Sequence, residues 1–178
     1  MRIVAGEFKG RKLNAPADNA VRPTTDMVKE AMFSIIMGRI EDAYVCDLFA
    51  GTGNLGLEAL SRGADKCIFG DHARSSIKII TDNVALCRAE DRSEIVQGDF
   101  LKVLDRLERP ADIFLLDPPY KGDLLEKSIS AISSAGLLAE GGVIIAEHDR
   151  GKRIPDMIGK YEKIKEKRYG RVVLSIFM

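Results

Sequence analysis

Apolar positions along the chain alternate between strand-like runs and helix-like stripes. Val28, Met32, Ile35 and Ile36 share one helical face, predicting a helix capped by Thr24 or Thr25 that runs through about Met37. Residues 44–49 form a short apolar strand. The segment AGTGNLG follows, then a helix through Ser61 that Gly63 closes as a left-handed C-terminal residue. The unit repeats. A strand at 67–70 ends at Asp71 and precedes a helix with Ile77, Ile80, Val84 and Cys87 at core spacing. A third strand, 95–96, ends at Gly98-Asp99 and leads into a short helix marked by Phe100, Val103, Leu104 and Leu107. Strand 113–116 is fully apolar and ends at Asp117-Pro118-Pro119-Tyr120. A helix at 124–134 precedes a buried strand at 143–146. From 158–161 the chain leads into two alternating strands joined near Tyr169-Gly170-Arg171. Upstream, residues 3–13 hold β-prone stretches broken by Gly6 and Gly10, which suggests a hairpin or a loose arm, and 14–23 read as a loop.

Five strand-helix units followed by two strands imply an α/β architecture, an open and mostly parallel sheet with helices on both faces. Ligands of such sheets bind beyond the carboxyl ends of the strands, near the switch in strand order. The polar residues at those ends are Asp47, Asp71, Asp99, Asp117 and Glu147.

Composition narrows the class. The chain has 178 residues, 46% hydrophobic and 30% charged, enough for one domain with a real core and a small appendage. No apolar run approaches the roughly 20 residues that span a bilayer. The N-terminus has no apolar stretch of the roughly 7–15 residues a secretory signal needs, so a cytoplasmic protein is expected. Cys46, Cys67 and Cys87 are odd in number and lack CxxC spacing, which argues for packing residues and against disulfides or structural zinc. His72 and His148 have no ligand spacing and read as surface or packing residues. The net charge of zero hides an uneven spread. Residues 1–29 carry an excess of three positive charges, residues 150–171 an excess of six, and the middle an excess of nine negative charges. Those charges decorate solvated elements, or two basic ends flank an acidic body and touch a phosphate backbone.

Two motifs carry chemistry. In Asp47-Leu-Phe-Ala-Gly51-Thr-Gly53-Asn-Leu-Gly56, glycines between strand and helix allow a tight turn and close backbone approach, and the helix start adds free N–H groups. Asp71 falls 20 residues after Gly51, a spacing suited to ribose hydroxyls. The pattern also fits a dinucleotide site. Asp47 favours a ligand with an amino group, such as S-adenosylmethionine, because a carboxylate there repels a pyrophosphate. Asp99 with Phe100 beside it offers an acceptor and a ring face for adenine, although Phe100 equally suits a helix core. The second motif is more specific. An acid-Pro-Pro-aromatic string arises by chance in under about one in a hundred chains of this length. Pro118 and Pro119 fix the backbone and remove two donors, leaving a rigid turn of acceptors with the Tyr120 ring next to it. Such a turn can hold a planar amine by its N–H bonds and turn its lone pair toward a methyl donor.

With these motifs, the chain resembles the class I, S-adenosylmethionine-dependent amino-methyltransferases. The resemblance tightens in Arg2-Ile-Val-Ala-Gly-Glu-Phe-Lys-Gly-Arg-Lys-Leu13, in Arg22-Pro-Thr-Thr-Asp-Met-Val-Lys-Glu-Ala-Met-Phe33 and in DLFAGTGNLGLEALSRGA from Asp47 to Ala64. Together these are similar to the bacterial 16S rRNA guanine-N2 methyltransferases that modify guanine 966, the RsmD family, over essentially the whole chain. Thr52 stands where serine is common in that pattern, and Asp71 where glutamate is common. The resemblance implies a Rossmann-like class I methyltransferase fold, with a seven-stranded, mostly parallel sheet, a C-terminal antiparallel hairpin and an N-terminal hairpin or arm. It implies an arm over 1–23 that contacts RNA and a catalytic domain over 24–178. Asp47, Gly51 and Gly53 would line the methionine end of the cofactor, Asp71 the ribose, and Asp99 and Phe100 the adenine. The Arg22-Pro23-Thr24-Thr25 segment would close over the cofactor. Asp117, Pro118 and Tyr120 would hold the target guanine, and Lys9, Arg11, Lys12 and Arg22 would meet RNA, with Tyr120 on the base. S-adenosylhomocysteine would be the product. Methyl transfer from a sulfonium needs no metal, and a monomer acting on 16S rRNA within the small-subunit ribonucleoprotein is expected. A DNA adenine-N6 methyltransferase shares the DPPY string but needs a target-recognition region for which the chain has little room. A nicotinamide oxidoreductase shares Gly51, Gly53, Gly56 and Asp71 but gives no account of DPPY.

Overall fold

The computed structural model describes residues 1–16, 25–119 and 122–178. Its centre is a sheet of eight strands in the order β3-β2-β1-β4-β5-β8-β7-β6. The strands are β1 (Tyr44–Asp47), β2 (Lys66–Asp71), β3 (Ser93–Gln97), β4 (Ala111–Leu116), β5 (Leu138–Asp149), β6 (Met157–Ile158), β7 (Tyr161–Tyr169) and β8 (Val172–Phe177). The first five are parallel. β8 runs antiparallel between β5 and β7, and the two-residue β6 extends the far edge beyond the seven expected strands. Strand order reverses between β1 and β4, which opens a crevice at their carboxyl ends.

Side-chain alternation assigns each strand residue to one of two cores. Val45, Cys67, Phe69, Ile113, Leu115, Val143 and Ile145 face α1 (Asp26–Ile35), α2 (Asn54–Ser61) and α3 (Arg74–Cys87). Tyr44, Cys46, Ile68, Phe114, Leu116, Ile144 and Ala146 face α4 (Phe100–Leu104) and α5 (Leu124–Ala135). The expected helix through Met37 stops at Ile35, and a single 3-10 turn completes the connection. β5 is longer than 143–146 because its first residues pair with Ala111 and the ladder then shifts register before Ile113 meets Val143. All three cysteines are buried and unpaired, and burial raises their thiol pKa values.

The N-terminal segment is packed down. One antiparallel bridge, Arg2 to Lys12, closes it, and Ile3, Phe8 and Leu13 enter the same core as α1, α2 and α3. Gly6 lies so close to α2 that an added Cβ would sit 1.7 Å from the Ser61 carbonyl oxygen, leaving no room for any side chain.

Candidate active site at the carboxyl ends of the strands

β1 delivers Asp47 to the start of the glycine turn. Its Oδ2 accepts the Gly56 N–H at 2.9 Å, inside α2's first turn. Its Oδ1 is buried and has no hydrogen-bond partner among the described residues. Burial pushes the Asp47 pKa up to about 7, against the pull of the Gly56 N–H and with a smaller push from the Asp71 charge. Gly51 (φ 56°) and Gly53 (φ 78°) take the left-handed backbone this turn needs, and Gly53 caps α2. A Cβ on Gly51 would meet nothing within 4 Å, so the turn borders open space. Gly56 serves packing: a Cβ there would lie 2.3 Å from the Phe69 ring.

Asp71, at the end of β2, accepts from Gly51 N at 3.0 Å through Oδ2 and from Ala73 N at 2.8 Å through Oδ1. Its carboxylate thereby fixes the glycine turn while its remaining lone pairs stay available. Asp99, after β3, caps α4 by accepting from Lys102 N at 2.9 Å. Phe100 is half-buried and tilts against Phe49 with ring centroids 6.4 Å apart. After β4, Asp117 is half-buried, Pro118 buried and Pro119 exposed. Leu116 of β4 pairs in register with Ala146 of β5, which brings Asp117 and the buried Glu147 to neighbouring strand ends. Asp47, Asp71, Asp99 and Asp117 thus gather along one edge of the sheet.

Thr25 caps α1, its hydroxyl accepting from Val28 N at 3.3 Å. Lys9 and Lys12 are exposed. Arg11 is half-buried, donating through Nη1 to the Leu86 carbonyl at 2.7 Å and lying over the Phe8 ring. Arg22, Thr24 and Tyr120 lie outside the described residues. His72 is exposed beside Asp71, whereas His148 is buried with its Nε2 2.9 Å from Ser175 Oγ, and burial lowers its pKa.

Sequence reasoning missed the polar residues that brace the glycine turn from below. Lys29 is fully buried and pairs with buried Glu58 at 3.0 Å. Its Nζ also donates to Asn54 Oδ1 at 2.8 Å and to the Arg2 carbonyl. Glu58 accepts from Val4 N at 2.8 Å, Ala5 N at 3.0 Å and Arg62 Nε at 2.8 Å. Burial lowers the Lys29 pKa, opposed by Glu58. Asn83 of α3 makes the second brace, donating to the Thr52 carbonyl at 2.9 Å and exchanging bonds with the backbone of Asn14. The only sequence signal was the i,i+4 spacing of Glu58 and Arg62.

An open sheet of this order, with a glycine turn framed by strand-end carboxylates, is the class I methyltransferase fold. A solved structure described as "Putative methyltransferase yhhF from Escherichia coli" superposes with a TM-score of 0.89 at 32% identity, covering 99% of this chain and 96% of that one. An RNA methyltransferase from Salinibacter ruber in complex with S-adenosyl-L-homocysteine shares the fold at 16% identity, with a TM-score of 0.66 over 87% of this chain and 92% of that one. Among curated proteins, "Putative rRNA methyltransferase YlbH" of Bacillus subtilis is 36% identical over 99% of this chain and 98% of its own length. Ribosomal RNA small subunit methyltransferase D of Escherichia coli K12 is 33% identical over 99% of this chain and 89% of its own. The chain belongs to the family described as Conserved hypothetical protein 95, the RsmD family, whose model matches residues 1–178.

Proposed function

We propose that this protein methylates the exocyclic N2 amine of a guanine, guanine 966, in 16S rRNA of the small ribosomal subunit, with S-adenosylmethionine as donor. The observation that carries the reading is the buried Oδ1 of Asp47, without a partner among the described residues, at the head of a glycine turn that borders open space. An acceptor withdrawn from water with no partner is costly unless a ligand supplies a donor. A carboxylate there suits the ammonium of the cofactor's methionine end and disfavours a pyrophosphate, which sets the nicotinamide alternative aside. The names of the curated relatives, rRNA methyltransferases that include a small-subunit enzyme, support the substrate.

The cofactor supplies an electrophilic methyl group on a sulfonium, which leaves as a neutral thioether and therefore asks for no general acid. The protein's part is position and acceptors. Asp47 holds the ammonium, Gly51 and Gly53 let the backbone come close, and Asp71 accepts from the ribose while keeping the turn in shape. Asp99 and Phe100 take the adenine. Asp117 and the carbonyls of the Pro118-Pro119 turn accept from the target amine, holding its lone pair toward the methyl carbon. As the N–C bond forms and the S–C bond breaks, the proton the amine must shed would pass along the hydrogen bond to half-buried Asp117 and on to water. Tyr120 stacks on the guanine. Thr24 and Thr25 sit on the segment that closes over the cofactor, and the 1–23 arm meets RNA through Lys9, Arg11, Lys12 and Arg22, the rest of the chain being the catalytic domain. The work is done by a monomer in the cytoplasm. Among the described residues no helix is long and apolar enough to cross a membrane.

The test is tritiated methyl transfer from S-adenosylmethionine to small-subunit rRNA, naked and assembled, from a strain lacking the enzyme. Label at N2 of a single guanine is expected. Label on adenine N6 of DNA and none on rRNA would overturn the reading.

A further inference from the structure

A second polar site lies at the far end of β5, outside the residues assigned above. The segment 150–156 folds back over β7 and encloses a cavity of about 360 Å³ with the surfaces of β5, β7 and β8. Five cationic side chains line it (Arg150, Lys152, Arg153, Lys163 and Arg168), against two acids, Asp156 and Glu166. Its wall includes the buried His148.

The two acids are already engaged. Lys163 reaches Asp156 at 2.9 Å, Glu166 at 3.3 Å and the Ile154 carbonyl at 3.0 Å, which staples the covering segment to β7. Arg168 holds Glu166 through two nitrogens at 2.9 and 3.1 Å. Arg150 and Arg153 make no ion pair among the described residues. Among the described residues their charge is the surplus of the cavity, five cations against two acids, with Asp156 also drawn by Arg153.

Position gives the cavity its meaning. β4 and β5 are parallel neighbours, so the segment after Asp149 leaves the sheet on the same edge as the acceptor turn after Leu116. Lys152 ties the two together, donating to the Gly122 carbonyl at 2.7 Å and to Glu126 at 2.8 Å. One residue, Lys121, separates Gly122 from the DPPY segment. A cationic hollow is therefore fastened to the exit of the turn that faces the target base.

We propose that this cavity is a phosphate-binding site for the RNA backbone beside the target nucleotide, with Arg150 and Arg153 as the phosphate ligands and Lys163 and Arg168 as its frame. It rests on the RNA reading above. Volume and charge suit a phosphate with its sugar, and arginine's planar fork matches phosphate oxygens. Such contacts fix register on a nucleic acid and leave the chemical step alone.

The test uses the full chain with Arg150→Ala/Arg153→Ala and Arg150→Lys/Arg153→Lys, an in-vitro 16S rRNA transcript and the small subunit from a strain lacking the enzyme. Loss of two contacts should flatten the slope of log affinity against log salt by about 1.4, at about 0.7 per contact for a single strand. Single-turnover methylation should need more RNA for half saturation, with an unchanged maximal rate and unchanged S-adenosylmethionine affinity. The double lysine variant should recover most of the slope. An unchanged slope in the alanine variant, with wild type active, overturns the site alone; an inactive wild type overturns the methyltransferase reading instead. A normal slope on naked RNA with weaker binding only to the assembled subunit would mean that a protein surface occupies the cavity. Tight binding of inorganic phosphate without any change in RNA slope would mean a free anion site. Either result also rejects the proposal.

Discussion

Asp47→Asn should make the ligand-free protein more stable in alkali and close to useless for cofactor capture. In the free protein, burial holds the Asp47 carboxyl at a pKa of about 7, against 3.8 for an unperturbed aspartate. A raised folded-state value means the folded chain binds the proton more tightly than the unfolded one, so stability falls as pH rises between 3.8 and about 7. The whole shift corresponds to about 4 kcal/mol, of which about 2–3 kcal/mol is lost between pH 5 and pH 8. Asparagine keeps an oxygen for the Gly56 N–H, has the same shape and carries no charge to bury. Urea unfolding of the ligand-free proteins should therefore show wild type weakening by that amount over the pH range, while the variant shows no such component. Cofactor binding reverses the logic, because an ammonium needs the ionised carboxylate. At pH 6 wild type should release about 0.9 proton per cofactor bound, read from calorimetry in buffers of different ionisation enthalpy. The variant should release none and bind at least about tenfold more weakly. Equal pH dependence of stability in the two proteins, or proton-neutral binding by wild type, would refute the assignment of Asp47 to the ammonium.

Four other outcomes follow from the site. Asp71→Ala should weaken S-adenosylmethionine binding by about 10- to 150-fold in calorimetry, the worth of a hydrogen bond to a charged group, and an unchanged dissociation constant would remove Asp71 from the site. In single-turnover methylation with saturating cofactor, Asp117→Asn should lose at least about a hundredfold in rate while holding the cofactor within a few-fold of wild type. Tyr120→Ala should lose a stacking contact of about 1–3 kcal/mol that Tyr120→Phe retains. Glu58→Gln leaves the Lys29 ammonium buried without its counter-charge and should cost about 3–5 kcal/mol in urea unfolding, whereas a loss below about 1 kcal/mol would show that the pair is dispensable.

The central parallel strands β1, β2 and β4 were legible because they are largely buried. Runs such as residues 113–116 contain no polar residue until the strand end, where an acid follows. The edge strand β3 is half-exposed and carries Ser93, Glu94 and Gln97. The N-terminal half of β5 was not legible, since Glu140-Gly141-Gly142 reads as a loop and only the register shift against β4 makes room for it. The two residues of β6 carry no periodicity at all. The glycine turn and its carboxylates could be named from spacing. Their bracing could not, because every residue of α2 is buried and the helix has no polar face to mark Glu58 as unusual. Lys29 sits next to the apolar stripe of α1 and reads as a solvent residue until Glu58, 29 positions later, is brought beside it. Arg11 donates to the Leu86 carbonyl and lies over the Phe8 ring, contacts that only tertiary proximity creates.

The clasp between the N-terminal segment and α2 also orders events during synthesis. Val4 and Ala5 wait for the carboxylate of Glu58, and Asn14 waits for Asn83. At about 5–20 residues per second, the chain between Asn14 and Asn83 takes about 3–14 s to make. Throughout that interval Ile3, Phe8 and Leu13 are exposed apolar residues beside a basic stretch, without the surface that later buries them. The earliest part of this fold to leave the ribosome therefore finds its partners only after α2 and α3 have followed it.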